Sequence, residues 1–85
     1  MYKFVVREYI LVDGEEGKEL NYSSWVSDTD TDMDRYASKY EKYASSSSDV
    51  DFLQIDRHHI KLLTKDPSEH DVRYVEEIQV FELEN

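Results

Sequence analysis

Apolar and polar residues alternate from Tyr2 to Val12. Tyr2, Phe4, Val6, Ile10 and Val12 fall on one side, interrupted by Glu8, while Lys3, Val5, Arg7, Tyr9 and Leu11 fall on the other. A period of two in Val, Ile, Tyr and Phe predicts a β-strand. Asp13-Gly14-Glu15-Glu16-Gly17 follows, with an Asp-Gly turn pair and a second glycine. Lys18–Ser27 then alternates again, Leu20, Tyr22 and Val26 opposed by Asn21, Ser23 and Trp25. An antiparallel hairpin turning across Gly14–Gly17 is therefore expected.

The period then changes. Met33, Tyr36, Ala37, Tyr40, Tyr43 and Ala44 recur at the three- and four-residue spacing of one helix face, which predicts a helix from Asp30 to Ser45. Thr31 or Asp30 is the expected N-cap, and Thr31-x-x-Asp34 approximates a capping box. The acids suit the positive end of the helix, and Lys39 and Lys42 lie nearer the negative end. Ser45–Ser48 are poor helix formers and predict a short connector.

β pattern returns in Val50–Arg57 with Phe52, Leu53 and Ile55, is interrupted by His58 and His59, and resumes in Ile60–Thr64. Asp66–Asp71 surrounds Pro67 and predicts a loop. Val72–Leu83 predicts a long final strand whose alternation slips at Glu76-Glu77, so a β-bulge is expected there. The order is β-β-α-β-(β)-β. It predicts an α+β fold, an antiparallel sheet of four to five strands with one amphipathic helix packed on one face.

At 85 residues the chain predicts a single domain, 1–85, with no room for a separate substrate domain. Aromatics at 13% supply burial that a disordered chain lacks. The absence of Cys excludes disulfides, thiolate metal sites and cysteine nucleophiles. No apolar run is long enough for a membrane span, and Met1–Arg7 is too short and alternating for a signal peptide, so a cytoplasmic protein without a membrane partner is expected.

Charge changes the picture most. Asp and Glu number 20 against 10 Lys and Arg, a formal net charge of -10. Such a field repels nucleic acid and anionic membranes and steers the chain towards basic surfaces; solubility alone accounts for it equally well. The acid undiluted by Lys or Arg lies in three clusters. These are Asp13, Glu15, Glu16 and Glu19 around the hairpin turn; Asp28, Asp30, Asp32 and Asp34 at the helix start; and Glu76, Glu77, Glu82 and Glu84 on the last strand.

Enzymatic apparatus is missing from the pattern. The chain has no G-x-S-x-G, G-x-x-x-x-G-K or G-x-G-x-x-G, and its 2 glycines are both expected in the hairpin turn. Asp28-x-Asp30-x-Asp32 opens like a calcium loop, but Met33 stands where that loop needs glycine and Lys39 where it needs a bidentate carboxylate. A solvated run before the helix is the expectation, with no metal and no cofactor. His58 and His59 are adjacent, so on a strand they face opposite ways, and Asp56 shares the parity of His58. Tyr36, Tyr40 and Tyr43 are expected to pack on the sheet, the outer ones serving as interface anchors if it cannot cover them.

A small, Cys-free, strongly acidic, Tyr-rich αβ chain carrying the run Asp28-Thr29-Asp30-Thr31-Asp32-Met33-Asp34 resembles phage-encoded anti-restriction and anti-CRISPR proteins, several kinds of which act as DNA mimics. The resemblance implies an inhibitor occupying the basic groove of a nucleic-acid-binding host protein, without itself binding nucleic acid. The residues expected to meet such a partner are Asp28, Asp30, Asp32, Asp34, Glu15, Glu16, Glu76 and Glu77, with Trp25 and Tyr43 as aromatic anchors. Alternate strand positions lie about 6–7 Å apart, so ladders such as Asp28-Asp30-Asp32 would present a row of charge. Two other classes stay open: an assembly module, such as a homodimer through a sheet edge, and a ligand or metal site around His58, Asp56 and the aspartates.

Overall fold

The computed structural model describes residues 1–84. Its elements are β1 (Tyr2–Val12), β2 (Glu15–Ser27), α1 (Asp32–Ser45), β3 (Val50–Asp56), β4 (His59–Lys65) and β5 (Val72–Glu82). All strand pairs are antiparallel, in one five-stranded sheet of order β2-β1-β5-β4-β3 with the single helix on one face. The α+β class and the expected order are present, with the optional fifth strand formed.

The first hairpin turns more tightly than the glycine spacing suggests. Asp13 and Gly14 alone form the turn, at φ 52° and φ 80°. Two successive left-handed residues match the right-handed strand twist, so Glu15 and Glu16 are already strand. Gly17 sits inside β2, where an added Cβ would lie 3.2 Å from the Ile10 carbonyl oxygen. Here β2 carries extra residues: the register moves from Glu8↔Asn21 to Tyr9↔Glu19 and then to Leu11↔Glu16. Bulges on a long outer strand twist it and discourage pairing with another chain.

The bulge expected at Glu76-Glu77 is not there. From Val12↔Val72 to Tyr2↔Glu82 the register of β5 on β1 is unbroken, and its pairing with β4 is equally regular. The slip in alternation has another cause. β5 is the middle strand, and both of its faces are buried, Ile78 and Val80 on the helix side and Val75 and Glu77 on the other. A strand covered on both sides needs no clean alternation.

α1 begins at Asp32, after the expected Asp30. Thr31 holds the cap position, yet its side chain makes no capping bond and its hydroxyl meets that of Thr29 at 3.0 Å. The carbonyls of Asp30 and Thr31 accept the amides of Met33 and Asp34 instead, at 3.0 and 3.2 Å, so the capping box does not form. Met33 and Tyr40 are buried with Phe4, Ile60, Ile78 and Val80, and Tyr36 and Ala37 pack at the margin. Trp25 stacks on Phe4 with centroids 5.3 Å apart.

The helix contacts β3 and β4. Its 14 residues span about 21 Å, whereas the 11-residue β1 and β5 reach about 36 Å. The far part of β1 and β5 on the helix side is therefore left uncovered. Among the described residues no helix is long and apolar enough to cross a membrane.

Candidate functional site

The three acidic clusters are distributed by strand pairing. The Asp13 amide donates to the Asp71 carbonyl at 3.0 Å, so the hairpin tip with Asp13, Glu15 and Glu16 meets the loop that carries Asp66, Glu69 and Asp71. At the opposite end Ser27 pairs with Tyr2, and Tyr2 with Glu82, so the aspartate run starts beside the end of β5 and Glu84. The molecule is 46 Å long, 27 Å wide and 17 Å thick.

The aspartates do not form a ladder. Asp28 lies in a bend, Asp30 precedes the helix, and Asp32 and Asp34 fall in its first turn, so strand spacing does not apply. Asp30 turns inward, its side chain only 14% exposed, and its carboxylate meets His58 Nε2 at 2.8 Å and Arg57 at 3.4 Å. The His58 bond, assisted by the charge of Arg57, holds the Asp30 carboxyl below its ordinary range. This contact ties the β3–β4 turn to the loop that launches α1. Asp34 reaches Arg57 at 3.9 Å and Asp32 pairs with Arg35 at 3.5 Å. Asp28 is exposed and, among the described residues, in no ion pair.

Asp56 and His58 do not meet as the parity argument suggested. The Asp56 carboxylate accepts the backbone amide of His58 at 2.8 Å in the turn, while the imidazole swings to Asp30. Among the described residues no group of three or more His, Asp or Glu side chains is arranged to hold a metal ion.

Glu76 and Glu77 leave β5 on opposite faces. Glu77 is buried on the face away from the helix, where His59 Nε2 lies at 2.5 Å, Arg7 at 3.4 Å and Lys61 at 3.5 Å. Arg7 also clasps Glu16, bonds Glu19 at 3.0 Å and lies 4.8 Å over the Tyr9 ring. Burial by itself pushes the Glu77 carboxyl up; the His59 bond and the Lys61 charge outweigh it and hold the group below its ordinary value. Both Glu16 and Glu77 thus belong to an internal network. Only strand order reveals this, because Arg7↔Glu77 and Lys61↔Glu77 are cross-strand neighbours far apart in sequence.

Glu76 faces the helix side, directly opposite Glu8. Among the described residues neither carboxylate has a cation within ion-pair distance. They lie along the uncovered stretch of sheet beside α1. There Tyr36, Lys39, Tyr40, Tyr43, Leu62, Thr64 and Glu76 line a cavity of about 350 Å³. A second of about 250 Å³ shares Leu62, Thr64 and Glu76 and adds Glu8, Leu20 and Tyr74, making one trough. Burial, then Glu76, and more weakly Tyr36 and Glu8, push the Tyr40 hydroxyl upward, so it stays protonated. Of the two expected aromatic anchors, Tyr43 is 55% exposed, whereas Trp25 is half-buried against Phe4.

Compared with protein families, curated proteins and solved structures, the chain matches no family model, no curated protein and no known structure.

Proposed function

We propose that this chain is a non-enzymatic binding domain whose partner is a basic protein, and that it occupies that protein's nucleic-acid groove as an acidic mimic. The observation that carries this is the contrast between used and unused charge. Arg7 and Lys61 are engaged by Glu16, Glu19 and Glu77 on the open face, and Arg57 by Asp30 and Asp34. Outside these ion pairs lie the exposed acids Asp13, Glu15, Asp28, Glu69, Asp71, Glu82 and Glu84, which outnumber the cations near them, Lys18, Lys65 and Arg73 at the hairpin end and Lys3 at the other. A groove built from Lys and Arg to hold phosphates accepts carboxylates through the same charge-assisted hydrogen bonds.

Capture from a lysate at low and physiological salt, with double-stranded DNA as competitor, is the test. Basic nucleic-acid-binding proteins should be retained at low salt and released both by salt and by DNA. Retention indifferent to both would defeat the mimicry.

A second reading, an assembly module, has its own observation. The outer strand β2 is exposed from Glu15 to Ser24, with Leu20, Tyr22 and Val26 about half exposed. Strand-edge pairing between two copies along the regular stretch 21–27, beyond the bulges, would give self-association that tolerates salt, read by sedimentation equilibrium.

A further inference from the structure

Glu8 and Glu76 are direct cross-strand partners on the helix side of the sheet, each only partly exposed. Like charges placed opposite one another destabilise a sheet, more so where solvent is partly excluded. The Glu77 side of the same strand shows the usual remedy, a carboxylate ringed by Arg7, His59 and Lys61. Glu8 and Glu76 have no such ring among the described residues. Their surroundings are instead aromatic: Tyr36, Tyr40 and Tyr43 descend from α1 on one side, and Tyr74 stands on the other. Tyr74 is itself fixed, donating its hydroxyl to Asp66 at 2.6 Å.

Aromatic faces beside paired carboxylates are complementary to a flat cation. A guanidinium stacks on tyrosine rings and presents two parallel N–H donors to a carboxylate, which an ammonium does not. The larger cavity, about 350 Å³, lies at the small end of the range of about 300–1,000 Å³ for ligand sites, enough for one side chain. Lys39 stands exposed at the rim as the chain's own competing cation.

We propose that this trough is the receptor for an arginine side chain of the basic partner, its guanidinium seated between Glu8 and Glu76 and stacked on the tyrosines. The assignment rests on the acidic-mimic function above. It adds a point of anchorage, distinct from the diffuse charge at the two ends.

A tetra-arginine peptide titrated into ¹⁵N-labelled protein at low salt provides the test. The amides of Tyr40, Leu62, Thr64 and Tyr74 should shift, with tetra-lysine perturbing them far less. The double variant E8Q/E76Q should weaken arginine binding about ten-fold or more. It should melt no lower than the parent, because removing opposed like charges relieves the sheet. The variant E82Q/E84Q, changed only at one acidic end, should keep the trough affinity within about two-fold, since those charges are screened over that distance. K39M should bind more tightly. If the shifts map only to the acidic ends and persist in E8Q/E76Q, the trough is not the receptor and the acidic-mimic function survives. Equal perturbation of the trough by tetra-lysine would overturn the guanidinium assignment. No shift anywhere at low salt would overturn both proposals.

Discussion

The two faces of the sheet bury their middles by different chemistry. On the helix side Phe4, Ile60, Ile78 and Val80 close against Met33 and Tyr40, an apolar contact that needs no directionality. On the other side no helix arrives, and Tyr9 and Val75 are nevertheless buried. Their cover is made of long polar side chains whose stems lie along the sheet while their charged heads converge on Glu77. The first face tolerates any apolar group of the right volume. The second depends above all on Glu77, because removing it leaves His59 and Lys61 partly desolvated without that partner. A small domain with one helix can thus cover two sheet faces, provided the second supplies its own lid.

The helix face should be the more costly to damage. Tyr40→Ala removes a buried ring from the apolar cluster and is expected to destabilise by about 3–5 kcal/mol, read from chemical denaturation. A loss below about 1 kcal/mol would mean that α1 contributes little to the core and would invert the comparison.

Glu77→Ala should come next, at about 1–3 kcal/mol, through the stranding of His59 and Lys61, since Arg7 keeps Glu16 and Glu19. Acid titration sharpens this. The ordinary value for Glu77 is 4.5 and its folded value is lower, so the folded state binds fewer protons than the unfolded state in acid. Its stabilisation is complete above pH 4.5 and is lost as pH falls through the lowered folded value. Glu77→Gln should therefore flatten part of the acid limb of the stability curve; an unchanged limb would show that the pairing does not stabilise the fold. Asp66, held at about 2 by the Tyr74 hydroxyl and the Ser68 amide, should keep the remainder of the limb in place.

Smaller and opposite in sign is the effect of relieving the like-charge pair. Glu76→Gln should raise stability by about 0.2–1 kcal/mol, seen as a modest upward shift of the melting temperature. A clear fall instead would mean that the interaction of Glu76 with the buried Tyr40 hydroxyl outweighs its repulsion with Glu8.

The smallest expected effect is none. Micromolar calcium should leave the amides of Asp28–Asp34 unmoved in an NMR titration, because Asp30 is committed to His58 and Arg57. Ordering of this segment by calcium would show that those contacts yield to a metal.

Much of the fold was legible from local pattern. The alternation of Tyr2–Val12 and the Asp13-Gly14 pair specify a hairpin whatever surrounds them, because period two and left-handed turn residues are local properties. The Met33-Tyr36-Tyr40 stripe specifies an amphipathic helix for the same reason. The boundary at Asp32 was less legible, since Thr31 answers to Thr29 and the Asp30 carboxylate to a histidine from a distant turn.

The acidic surface divided along the same line. Composition alone determines that the chain carries an excess of negative charge, and therefore which surfaces it attracts. Which acids remain free was decided by tertiary structure, through pairings such as Arg7 with Glu77 and Asp30 with His58. Strand order likewise separated the neighbours Glu76 and Glu77, sending one to a trough where, among the described residues, no cation reaches ion-pair distance and the other to a ring of them. Local propensity acts over a few residues and is written along the chain. Ion pairing and burial act across a few ångströms of space, and only the folded sheet determines which residues share that space.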